Sequence, residues 1–564
     1  MQDLIHFNTS ICSAVFAVFI FLAASFSIGS LLPSNSLSPS GKIIIRLIIG
    51  MDILTVLGYF LGCFGLLSNV IVIISLSSAT AILAISLFRK TVSYPKPRKC
   101  SCFKHCIPLV LPLAMLPIML GRSLCIPTGW DELTYQLEVP ARWIQSGHIA
   151  IFPDNPYSAF PSAASVNFYI LMLAGGILAP RILILAIWGI CLVSMYLLIR
   201  PGLSKINTSI LTFGFGSSFA VVMAATSAYV ELFILLQVAG ILLLSRNFTN
   251  LKTMPYLLGL AGFMAGMAGS VKLTGLVIGT GFLLYILISR EGLIKIKLKA
   301  LFAYFVVFFI ILAIFYIRPY LLAGNPSYPY FASFFSSNES TIEMSRYHHL
   351  IGSVKYGIQG ISALFTDPIL LAFSGSTFDG NFGWQFLIIL LACAYSTAIA
   401  YKSRNNRIAG LLIAALTLYV FWFFTSQQAR FIIPAVFLLF IASKHAFRQL
   451  PSKVAESLII LTLILSIFSI PQNIMKDCYL SWKTVLGMIN PQDYLYSSTG
   501  PGYLKAVFVV NKTLPANAKL MMIFENRGLY MDKKHVIGTP FFQEEFFTPA
   551  EKIPAPPPDN GNPA

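Results

Sequence analysis

Charge is scarce in this sequence. Only 11% of its residues are charged, and acids are the scarcer sign, 21 Asp and Glu against 39 Lys and Arg in 564 positions. With 57% hydrophobic residues and a mean hydropathy of +0.77, the chain holds more apolar surface than a water-facing fold can conceal. The nine cysteines are too few for a disulfide scaffold at this length. A glycine-rich phosphate loop after a strand is missing, and so is a second soluble unit that could bind a nucleotide. The net charge of +18 would suggest nucleic acid if it were spread over a surface. Lys and Arg instead gather in short loops between apolar runs, the bias that sets membrane topology, and no nucleic-acid partner is expected.

What is present is a series of apolar runs long enough to cross ~30 Å of hydrocarbon. The expected fold is all-α and polytopic, with about fourteen transmembrane helices by the apolar pattern. The first run, 11–32, is longer than a signal-peptide core and lacks a basic segment before it, so it reads as a span. The loop 89–106 carries six basic residues and no acid, which places it inside. Its cluster of Cys100, Cys102 and Cys106 beside His105 lacks a second ligand pair at zinc-finger spacing and reads as a reduced basic loop. The segment 107–122 then runs outward and 163–178 lies along the surface. The remaining runs alternate so that their basic ends stay inside. Three regions result: extra N-terminal helices and the basic loop (1–106), a transmembrane core (107–475) with outer loops 123–180 and 318–382, and a C-terminal extracytoplasmic appendage (476–564). The appendage is expected to be a small α/β unit, with 518–524 as a buried strand and a Pro-rich, disordered end. An integral protein of a bacterial inner membrane is the expected setting.

Against this background the stretch 129–154 stands out, because four of the 21 acids fall in it: Asp131, Glu132, Glu138 and Asp154. After Asp131 the spacing of Tyr135, Val139 and Trp143 predicts an amphipathic interfacial helix, with Glu138 and Arg142 paired at i,i+4. Pro140 is expected to kink it and Gly147 to end it. Once the topology is drawn, Asp131, Glu132, Glu231, Lys272, Arg318 and Arg430 all fall at outer ends of apolar segments. Ionisable groups at membrane depth face a cavity and a partner, because isolation in hydrocarbon is costly. Cations there suit a phosphate, Arg by bidentate contact and Lys as a point charge. A carboxylate beside them suits deprotonation of an acceptor hydroxyl. Together, on the face away from ATP, they call for a donor activated beforehand, such as a sugar on a polyprenyl phosphate.

The sequence also resembles the GT-C glycosyltransferases, especially protein O-mannosyltransferases and lipid A aminoarabinose transferases. The resemblance rests on WDELTYQLEVPARWIQSGHI (130–149) followed by PYSAFPS, SAYVELFILL (227–236), SVKLTGL (270–276), RPYLLAGNPSYPY (318–330) and QQARFIIPA (427–435). Glu231 stands where an Asp is common, Gln136 where His is frequent, and Phe431 where Tyr is usual. The resemblance implies a membrane glycosyltransferase acting on a polyprenyl-phosphate-linked sugar and inverting the anomeric centre. Asp131 would be the general base and Glu132 its tuning neighbour, two close carboxylates repelling so that one is held protonated to higher pH. Lys272 and Arg430 would hold the lipid phosphate, and Glu231 would bind sugar or pair with one of the cations. Tyr135, Arg318, Asn325 and Tyr328 complete the expected substrate-binding set, the last two shaping the outer loop through Asn-Pro and Tyr-Pro turns.

Plainer readings stand beside these. Asp131 could serve as a helix N-cap, Lys272 and Arg430 could snorkel at the interface, and Arg318 could simply end an outward helix. Asp52, inside the second run, has no partner in the sequence pattern. No metal site is expected, although a divalent cation would be compatible with the chemistry. The acceptor class, whether lipid, glycan or protein, is left open. The competing function is a transporter or lipid flippase, which would carry its charges near the midplane within an inverted repeat. A third is a polymerase or ligase of surface polysaccharide.

Overall fold

The computed structural model describes residues 10–33, 39–92, 109–152, 154–248, 253–289, 294–328, 330–335, 342, 360, 362–470, 472–523 and 525–537. The Cys100–Cys106 cluster, the pair His348-His349 of the outer loop 318–382, which the sequence offers as a solvated pair rather than a metal site, and the Pro-rich end lie outside these residues. The described chain is a helical bundle, because in hydrocarbon only a helix satisfies every backbone N–H and C=O within its own segment. Among the described residues, eight helices are long and apolar enough to cross a membrane, or nine if the bent pair Lys205–Gly216 and Phe219–Ala225 forms one span. Four shorter apolar helices accompany them.

The remaining expected spans differ for local reasons. The run 107–122 holds Pro108, Pro112 and Pro117, and among its described residues the turns at 111–115 interrupt it before the eight-residue helix Leu116–Ser123, because proline removes intrahelical donors. The run 208–225 bends by 71° at Ser217-Ser218. The run expected to lie along the surface is instead the helix Ala163–Gly175, buried along almost all of its length. Its apolar residues encircle the axis, so it has no polar face to turn toward water.

Close helix packing comes from small residues. The Met254–Val271 helix lies along Ile294–Ala323, where Gly262 sits against the Tyr304 carbonyl with no room for a Cβ. Tyr304 and Tyr316 then donate to the carbonyls of Gly279 and Gly269 at 2.9 and 2.8 Å. The intramembrane Asp52 does have a partner: Gln237 on a neighbouring helix donates to it at 2.8 Å. Large side chains such as Phe19, Phe302, Leu391 and Phe468 point outward at 65–80% exposure, as a lipid-facing surface requires.

The C-terminal unit contains the helices Gln472–Val485, Pro491–Thr499 and Pro501–Thr513 and a two-stranded parallel sheet. β1 (Lys519–Met521) pairs with β2 (Lys534–Val536). The strand expected to be buried is short and half open, with Met521 40% and Ile523 63% exposed, since one neighbouring strand and few covering residues leave its second face uncovered. Arg122 and Asp477 at 3.3 Å and Trp482 on the Pro117 carbonyl at 2.9 Å fasten this unit to the bundle.

Candidate active site

Asp131 precedes a π-helical turn, Glu132–Gln136, whose closing bond runs from Leu137 N–H to the Glu132 carbonyl at 3.1 Å. An α-helix, Glu138–Ser146, follows and ends at Gly147 with φ 74°. Pro140 does not kink it. It sits in the first turn, where a missing N–H costs no helical bond, and the break falls earlier, at Leu137. The Asp131 side chain makes no capping bond. It accepts from the Tyr135 hydroxyl at 3.0 Å and from Arg430 Nη2 at 2.7 Å.

Its neighbour faces the other way. Glu132 is fully buried and pairs with Arg181 at 3.2 Å, itself without exposure. The backbone N–H groups of Gly129 and Ala228 also donate to it, at 2.8 and 2.5 Å. Arg181 in turn donates to the carbonyls of Cys125 and Thr226. The two adjacent carboxylates therefore do not share a site. Asp131 opens to a cavity, while Glu132 is the centre of a buried clamp between three segments.

Three further elements bring charge to Asp131. The Met254–Val271 helix breaks at Lys272, whose extended backbone leads into the 3-10 turn Leu273–Gly275. Glu231 opens the Glu231–Ser245 helix, and Arg430 lies on the 3-10 turn Ala429–Ile432. Lys272 Nζ meets Glu231 Oε1 at 3.3 Å, and Arg430 Nε lies 3.8 Å from the same oxygen. Arg430 Nε also donates to the Gln428 side chain at 2.9 Å. The Phe431 ring lies 3.5 Å from the lysine nitrogen, and the Tyr229 ring 4.5 Å from the guanidinium, so π-faces assist both cations. The result is an alternating chain, Asp131, Arg430, Glu231, Lys272, with formal charges that cancel. The second Glu231 oxygen is buried with no hydrogen-bond partner.

A cavity of about 990 Å³ opens over this chain, lined by Asp131, Tyr135, Lys272, Tyr330, Arg430 and Phe431 among others. Aromatic rings form one wall: Tyr135 stacks on Tyr157 with centroids 5.0 Å apart, and Phe160 lies 5.9 Å from Tyr330. Burial, then the Asp131 carboxylate, push the Tyr135 phenol well above its ordinary range, so it stays a hydrogen-bond donor.

Three expected residues stand apart. Arg318 donates to the Ile149 carbonyl at 2.8 Å and fixes the far end of the loop, away from the cavity lining. Asn325 donates to the Tyr330 carbonyl at 2.8 Å and accepts from Ser327 N–H at 2.9 Å, a turn that delivers Tyr330 to the cavity wall. Tyr328 belongs to that turn, its N–H on the Asn325 carbonyl at 3.3 Å. The expected Glu138–Arg142 pair is replaced by two others, Glu138 with His535 at 2.9 Å and Arg142 with Asp154 at 2.5 Å. Tyr229 and Gln428, which steady Arg430, were not singled out by sequence. Their only signal was position, two residues before Glu231 and two before Arg430.

No family model and no curated sequence matches this chain. Its fold does match solved structures. ArnT from Cupriavidus metallidurans, bound to undecaprenyl phosphate, superposes with a TM-score of 0.50 at 13% identity, over 78% of this chain and 88% of that one. The Archaeoglobus fulgidus oligosaccharyltransferase, in complex with zinc and sulfate, is similar at a TM-score of 0.44 and 14% identity, over 77% of this chain and 62% of that one. The superposition on ArnT gives the fold as the GT-C membrane architecture expected from the sequence motifs.

Proposed function

We propose that this protein is a membrane glycosyltransferase that moves a sugar from a polyprenyl-phosphate donor to an acceptor hydroxyl. The observation that carries the reading is the meeting of Asp131, Lys272 and Arg430 on one cavity, on a backbone that carries the GT-C fold. A phosphate entering beside Lys272 and Arg430 finds one point charge and one planar donor fork. Both cations are held by carboxylates, so the phosphate competes with them. Drawing the guanidinium toward phosphate frees the Asp131 carboxylate at the moment a base is needed.

In the proposed step the acceptor hydroxyl gives its proton to Asp131, and its oxygen attacks the anomeric carbon. The bond from that carbon to the phosphate oxygen breaks as the new one forms. The lipid phosphate leaves with the electron pair, its charge met by Lys272 and Arg430, and the anomeric configuration inverts. Tyr135 donates to Asp131 throughout and holds the carboxylate in place. Glu132 supports the loop through Arg181 rather than sharing protons with Asp131. The charge bias of the loops favours the outer membrane face for this cavity.

The test is mass spectrometry of glycolipids and surface glycans after deletion of the gene, with complementation. The wild type restores the missing product and Asp131→Asn does not. Equal restoration by both would overturn the assignment of the base.

A further inference from the structure

The segment 527–537 of the C-terminal unit touches the loop 127–154 at its start, middle and end. Tyr530 donates its hydroxyl proton to the Pro127 carbonyl at 2.7 Å. Leu529 N–H donates to the Leu133 carbonyl at 3.0 Å, and Ile537 N–H to the Asp154 carbonyl at 3.3 Å. The Arg527 guanidinium lies 4.6 Å from the ring of Trp130, which lines the cavity next to Asp131. Near the end of the segment His535 Nε2 meets Glu138 Oε1 at 2.9 Å. Glu138 is buried on the helix whose Val139 and Trp143 form part of the cavity wall.

We propose that this segment is a positioning element for the catalytic loop, with a protonated His535 on Glu138 as its fastening and Tyr530 as its second anchor. The proposal rests on the reading of 130–149 as that loop. The geometry itself asks for the imidazolium. The other ring nitrogen, Nδ1, lies 2.9 Å from the Lys533 carbonyl, so both nitrogens face acceptors, and only the doubly protonated ring donates to both.

The surroundings agree. Burial pulls the imidazole pKa down, the Glu138 carboxylate pulls it up, and the upward pull prevails. Arg142, the cation that opposes it, is occupied by Asp154 at 2.5 Å, and Lys533 by Asp532 at 3.0 Å. A raised folded-state value means that the fastening is complete below the ordinary histidine range and is lost as pH rises through the raised value. Gly528 leaves the space the pair needs, since a Cβ there would collide with His535 Nε2 and come within 3.0 Å of Glu138 Oε1.

Hydrogen-exchange mass spectrometry on the full-length protein in lipid nanodiscs tests this. In the wild type, protection of 127–154, corrected for intrinsic rates, falls about tenfold between about pH 5.5 and about pH 8.5. Gly528→Ala and His535→Gln show the low protection at both values, and Tyr530→Phe lowers it at both while keeping the step. Exchange in the Met254–Val271 and Ile294–Ala323 helices stays as in the wild type. At equal protein level, Gly528→Ala also restores about tenfold less glycan product in the deletion strain. Undiminished protection in Gly528→Ala, a pH step surviving in His535→Gln, loss spread evenly over the helices, or undiminished product would each overturn the proposal. Binding of undecaprenyl phosphate in the same nanodiscs bears on the functional reading alone. Its absence in the wild type would sink that reading while the exchange data still decide whether the loop is fastened.

Discussion

Arg430 holds Asp131 at 2.7 Å across 299 positions of chain. The contact joins two networks: Asp131 caps no helix and also accepts from the Tyr135 hydroxyl, while Arg430 also reaches Gln428 and Glu231, and both residues line the cavity. Removing the carboxylate charge leaves the hydrogen-bonding shape almost unchanged, so Asp131→Asn should fold normally. Its glycosyl transfer should fall by about 10²–10⁴-fold, the usual worth of a positioned base. Product yield at matched protein level, with the melting temperature as control, checks this. A retained melting temperature with retained activity refutes the role.

Glu132 should behave in the opposite manner, although it is the next residue. Glu132→Gln leaves Arg181 fully buried and unpaired, a loss on the order of 3–5 kcal/mol. The expected outcome is a lower melting temperature in detergent and poor membrane accumulation. The contrast between neighbours is the informative result. A Glu132→Gln protein as stable as the wild type yet inactive would return Glu132 to the chemistry and undo the clamp.

Much of this arrangement is legible in the sequence. Apolar runs, basic loops and five ordered motifs located Asp131, Glu231, Lys272 and Arg430 at the same ends of their segments. What was not legible was pairing at long range. Glu138 has a good local partner in Arg142 by helical spacing, but tertiary contacts bring His535 and Asp154 closer, and a surface i,i+4 pair is worth only a few tenths of a kcal/mol. The same holds for Glu132, whose partner Arg181 lies behind a turn and another helix. Local breaks were not legible in hydropathy either: the prolines of 107–122 and the serines at 217–218 interrupt helices that an apolar run alone treats as continuous.

Lipid phosphate recognition should depend on geometry as well as charge at Arg430. Arg430→Lys keeps the charge but loses the planar fork that reaches Asp131, Glu231 and Gln428 together. Affinity for undecaprenyl phosphate should fall at least about tenfold, the scale of one charge-assisted hydrogen bond. Lys272→Met should lower it similarly. Titration in nanodiscs measures both, and wild-type affinity in either variant contradicts the phosphate role of that residue.

Glu231 offers the sharpest sign test: it contacts Lys272 and Arg430, so under the proposed function its carboxylate would compete with an incoming phosphate for the same two cations. With Asp131 and Glu231 ionised, the four-residue chain carries no net charge. Glu231→Gln adds one positive charge to it without removing a cation. If Lys272 and Arg430 receive an anionic headgroup, the variant should bind undecaprenyl phosphate more tightly, on the order of tenfold for a charge change at this range in a partly buried site. Catalysis should nonetheless slow, since product phosphate is held by the same gain and Lys272 loses the carboxylate that orients it. The alternative role, Glu231 as a sugar ligand, predicts unchanged lipid phosphate affinity. A substitution that weakens phosphate binding would mean that Glu231 organises the cations more than it competes for them.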